Sequence, residues 1–157
     1  MKGAGVAVIW PRCPCLSPVS PGELVVRITA SVPASTPGSL GFSFVDIGRK
    51  AGTLATVFAD RVHALAAMAG SDDGELLGRV IAHEISHLLL GTRDHGAGGL
   101  MRGEWRASEL ALQRPTDWVL SRSEGGAIRR AIRQRASESP PAMMRVDADQ
   151  APTGVMQ

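Results

Sequence analysis

The chain has 157 residues, a length that suits one domain able to bury a core without staples. Its formal net charge of +2 is too small to imply a nucleic-acid partner. No run of residues approaches the length of a transmembrane helix, so no membrane span is expected.

Residues 1–21, rich in Pro and Ser, read as a leader without structure. Lys2 followed by residues 3–10 imitates a signal sequence weakly, and Pro11-Arg12 interrupts it, so the compartment is not legible. Cys13 and Cys15 are too close for an ordinary disulfide, and with no further cysteine they read as plain thiols. Leu24-Val25-Val26-Arg27-Ile28 marks a strand within residues 23–31. A loop over 33–38, a strand over 40–47, a turn over 48–52 and a third strand over 53–58 follow. Asp60 is placed to cap a helix through Met68, with Val62, Leu65 and Ala66 apolar.

The next helix is the best marked. Ser71, Asp72 and Asp73 offer N-cap oxygens before residues 75–90. Leu77, Ile81, Ile85, Leu88 and Leu89 recur at helical period, and Gly91 stands where a left-handed stop is expected. Helices over 105–113, 116–121 and 124–136 complete a domain of residues 22–136, and residues 137–157 read as a disordered tail. Arg129, Arg130, Arg133 and Arg135 give the last helix an arginine face. Strands first and helices later mean an α+β domain: a small twisted mixed sheet packed on one central helix, then a helical C-terminal part.

That central helix carries His83-Glu84-Ile85-Ser86-His87, the HExxH pattern. A helix advances about 100° and 1.5 Å per residue, which sets the two imidazoles about 40° and about 6 Å apart on one face. Two imidazoles so placed reach a single metal ion, and Glu84 lies beside them as a base rather than a ligand. On a helical wheel both histidines point away from the apolar stripe, toward a cleft or solvent. Catalytic zinc takes three protein ligands and keeps a fourth position open. His95, beyond Gly91 in Thr92-Arg93-Asp94-His95, is the first choice for the third. Asp94 is the neighbouring rival, and an arrangement resembling that of gluzincin peptidases, with a Glu on a second helix as third ligand, would use Glu104 or Glu109. Three imidazoles also accept other divalent metals.

The run from His83 to Met101 resembles the metzincin clan of zinc peptidases, and small uncharacterised bacterial peptidase-like proteins with an HEIGHLLLG-type core. His83, Glu84, His87, Gly91, His95 and Met101 fall on the clan's motif positions. The usual spacing is HExxHxxGxxH; here Gly91 comes one residue late and His95 two. The resemblance implies zinc-dependent hydrolysis of a peptide or protein substrate. In that scheme His83, His87 and His95 hold Zn2+, Glu84 is the general base, and Met101 forms an apolar floor under the metal. It also implies an edge strand lining the cleft and pairing with the substrate, for which residues 53–58 are the match. The tyrosine that some clan members add is excluded, because the chain has none. Arg93 or Arg102 is the substitute on offer for steadying the oxyanion. The competing readings are a non-catalytic metal-binding or interaction domain, and an anion-binding module built on residues 129–135.

Overall fold

The structure is a computed structural model, and it describes residues 5–10, 22–30 and 38–138. Of the expected tail over 137–157, residues 137 and 138 are helical and the rest lies outside these residues, as do both cysteines and most of the expected leader. Val6, within the expected leader, packs against the core rather than standing clear of it.

The chain forms β1 (Val25–Thr29), β2 (Gly41–Asp46), β3 (Ala51–Phe58), α1 (Ala59–Ala69), α2 (Asp73–Leu90), α3 (Ala107–Leu110), a 3-10 turn at Pro115–Trp118, and α4 (Arg122–Glu138). This is an α+β fold with a small mixed sheet of order β1-β3-β2. β1 runs parallel to β3, and β2 runs antiparallel to it. The expected strand over 53–58 is therefore the middle of the sheet, not its edge. Burial explains the order. Ala55, Thr56, Val57 and Phe58 are consecutive buried residues, which only a strand covered on both sides tolerates. β2 is the edge strand instead, with Phe44 and Asp46 exposed.

Gly41, Ser43 and Val45 alternate onto the face of β2 that meets α2, as a period of two requires. α2 lies under the sheet and touches all three apolar clusters. Leu88 joins Val45 and Ala55; Leu76 and Val80 join Val57, Val62 and Ala66; Ile85 and Leu89 join Leu100, Met101, Leu120 and Ile128. The packed side of α2 is wider than the wheel suggested, and the helix is buried continuously from His83 to Leu89.

Both ends of α2 are fixed by local chemistry. The Asp72 carboxylate accepts the Glu75 N–H at 2.7 Å, and Gly91 closes the helix at φ 63°. Arg135 of α4 adds a long-range cap, its guanidinium donating to the Leu88 carbonyl at 3.3 Å and to Gly52. Arg135 thus leaves the expected arginine face to hold the end of the central helix. The helix expected over 105–113 shrinks to one turn, and the one expected over 116–121 becomes a 3-10 turn opened by Pro115.

Candidate metal centre

The site is built from α2 and the loop that follows it. His83 and His87 are buried, at 8 and 5 % exposure, on the floor of a cleft of about 900 Å³. His83 Nδ1 lies 2.7 Å from the Leu100 carbonyl, and His87 Nδ1 lies 2.9 Å from the Thr92 carbonyl. A carbonyl only accepts, so each Nδ1 carries the proton and each Nε2 is left with a bare lone pair. These Nε2 atoms face one another at 3.0 Å, and His95 Nε2 stands 3.3 Å from that of His87. Bare nitrogens repel at such a separation unless a cation sits between them. A tetrahedral centre with Zn–N bonds of 2.0–2.1 Å has an edge of about 3.4 Å, close to the two separations from His87, and all three nitrogens lie within 4.8 Å of one another. Among the described residues, His83, His87 and His95 can hold a metal ion together.

Protonation agrees with this. Burial pulls the His83 pKa down to about 4, against the opposing hydrogen bond to Leu100, and burial also lowers that of His87. The two rings stay neutral near pH 7 and available as ligands.

His95 is exposed and depends on its loop for placement. The loop closes on itself through the Gly96–Arg102 bridge and the Gly96 N–H donating to the Met101 carbonyl at 2.8 Å. The His95 ring rests on Gly103, where an added Cβ would come within 3.2 Å of its Cγ. Met101 anchors this loop in the core at 1 % exposure, and the preceding carbonyl, that of Leu100, orients His83. Metal ligands are commonly steadied by such outer hydrogen bonds. Trp105 adds an apolar wall, its ring edge-on to His83 at 5.5 Å.

The rival ligands fall elsewhere. The Asp94 carboxylate accepts the Thr92 hydroxyl at 2.9 Å. Glu109 pairs with Arg102 at 3.6 Å and caps α3, and Glu104 pairs with Arg106 at 3.6 Å. None of the three joins the histidine cluster. His63 is exposed and pairs with Asp73 at 3.3 Å, away from the cluster.

Glu84 is 5 % exposed beside the histidines. Burial raises its pKa to about 7, while the Ser43 hydroxyl, donating to Oε2 at 2.7 Å, works against the rise. Oε1 lies against Gly41, where a Cβ would stand 3.0 Å from it and 2.7 Å from the Thr56 carbonyl. Two residues of β2 thus shape the carboxylate's seat. Sequence reasoning missed Ser43, Gly41 and Gly103. A glycine inside a strand is a sign of close approach, so Gly41 left a trace. Ser43, 41 residues from Glu84, left none.

These shifts fix how the metal-free protein responds to pH. His83 and His87 refuse protons that the unfolded chain takes up below its ordinary value of 6.5, so their contribution falls as pH drops from there. Glu84 runs the other way: it keeps a proton that the unfolded chain loses above 4.5, so its contribution falls as pH rises toward 7. The His83 and Glu84 shifts are similar in size and opposite in effect, so the lowering at His87 sets the sign. Urea midpoints in EDTA are expected to be lower at pH 5 than at pH 6.5, most clearly in Glu84→Gln, which lacks the opposing carboxyl; equal midpoints in that variant would contradict the burial of these rings.

No family model matches this chain, and neither the curated proteins nor the solved structures contain a match.

Proposed function

We propose that the protein is a zinc-dependent peptidase of metzincin type, cleaving peptide bonds of a peptide or protein substrate. The observation that carries the reading is the convergence of three imidazole nitrogens beside a buried carboxyl group in one cleft. A zinc ion held there would supply a Lewis acid and would lower the pKa of a bound water to about 7. The chain's own residues do the rest. His83 and His87 bind through Nε2, with Nδ1 locked by backbone carbonyls, and His95 completes the set from the loop. Glu84 takes a proton at its carboxylate and returns it to the leaving amine. A pKa near 7 in the metal-free protein suits that exchange, and a nearby cation favours the ionised form. Ser43 keeps the carboxylate turned into the cleft.

Substrate alignment belongs to β2 in place of the strand expected for it. β2 is an edge strand lining the cleft; side chains engage the backbone of Gly41 and the Val45 carbonyl, and Ser43 between them is where an added strand would pair. Such pairing binds extended peptides through main-chain hydrogen bonds with little side-chain preference of its own.

The test is metal removal. Protein loaded with zinc is expected to degrade casein, to stop when the ion is stripped with 1,10-phenanthroline, and to resume on adding zinc. A preparation that holds zinc yet leaves casein and a broad peptide library intact is a non-catalytic metal-binding domain.

A further inference from the structure

The charges lining the cleft are unequal. Arg61, Arg93, Arg102 and Arg106 face Glu84 and Glu104. Arg102 is matched by Glu109, and Arg106 by Glu104. Among the described residues Arg61 and Arg93 have no carboxylate partner. Each is instead tethered to a backbone carbonyl, one just before β2 and one near its far end. Arg61 Nη1 donates to the Ser39 carbonyl at 2.6 Å, and Arg93 Nη2 donates to the Val45 carbonyl at 3.1 Å. Arg61 is further held over the Phe58 ring at 5.2 Å. A guanidinium has five N–H donors, and the tether uses one. Ser39 precedes the bend at Leu40 that leads into β2, and Val45 lies near the far end of that strand. Ser43, which holds Glu84, lies between the two ends.

We infer that the cleft selects acidic peptides: extended segments with a carboxylate side chain toward each end. The two tethered cations, one held just ahead of β2 and one near its far end, match two carboxylates set apart along an extended chain. Their cost of ordering is already met by the tethers, so each gives selectivity and not merely surface charge. The inference rests on the reading of this cleft as a peptide site, but it does not need hydrolysis.

Binding to the metal-free protein tests it separately. Fluorescein-labelled decapeptides of Ala, Ser and Leu would carry two Asp near each end, two Lys near each end, or neither. Anisotropy is read in EDTA at 50 mM salt. The Asp peptide is expected to bind about fivefold tighter than the neutral one and more than tenfold tighter than the Lys peptide, on the scale of partly exposed ion pairs. The margin should shrink in 0.5 M salt. Arg93→Glu should weaken the Asp peptide about fivefold and strengthen the Lys peptide; Arg61→Gln should weaken the Asp peptide alone. Equal binding of all three peptides, no binding of any, or unchanged preference in Arg93→Glu overturns the inference. So does a single-stranded decanucleotide that displaces the Asp peptide at equal concentration. Acid-preferring binding without cleavage by the zinc-loaded protein would remove the peptidase reading and leave this one standing; cleavage blind to charge would do the reverse.

Discussion

Glu84→Gln is expected to lower casein hydrolysis by about a thousandfold while zinc remains bound at wild-type stoichiometry. The substitution keeps the shape of the side chain and its acceptor oxygen, so the Ser43 hydroxyl retains a partner. It removes the ability to accept and return a proton, a function worth about 10²–10⁴ in rate for a positioned acid–base group. The three imidazoles do not depend on it, since the histidine Nδ1 atoms are oriented by the Leu100 and Thr92 carbonyls. Stability should move little or rise, because an amide at 5 % exposure escapes the cost of burying a charge. Metal content and rate must be measured on the same preparation. Equal cleavage by the variant and the wild type would take the base role away from Glu84 and leave a metal site without this chemistry.

The sequence exposed this site unevenly, and the reason is range. α2 was legible to its ends because its signals are local: Asp72 caps it three residues from the N–H it accepts, and Gly91 stops it in the left-handed region. The spacing of His83 and His87 follows from helical geometry alone. The strands were legible as strands from their β-branched and aromatic residues, but their order was not. The placing of β3 between β1 and β2 comes from burial against α2, which a linear pattern does not encode. The same holds for Ser43 and Arg135, which reach across 41 and 47 residues to act on α2. The helix expected over 105–113 failed because tertiary packing overrode propensity. Trp105 is drawn out to stand against His83 and Trp118, and only Ala107–Leu110 remains helical.

His95→Ala is expected to weaken zinc binding by at least about a hundredfold and to leave the metal-free fold unchanged. Loss of an outer hydrogen bond to a ligand already costs about 10–100-fold in affinity, and loss of the ligand itself costs no less. The fold should not notice, because His95 is exposed and its ring meets the protein through Gly103 and the other two histidines. His83 would be a poorer choice, since removing that buried ring strands the Leu100 carbonyl and loosens the loop with it. The readout is the metal's own stabilisation. At a zinc concentration one hundred times the dissociation constant it amounts to about 2.7 kcal/mol, and a hundredfold weaker site keeps only about 0.4 kcal/mol of it. Melting curves with zinc and with EDTA should therefore separate for the wild type and nearly coincide for His95→Ala. Asp94→Ala and Glu109→Ala, whose carboxylates engage Thr92 and Arg102, should separate as the wild type does. A zinc-dependent shift that survives in His95→Ala and vanishes in either acidic variant would move the third ligand to that carboxylate, and with it the spacing argument that ties this loop to the metal.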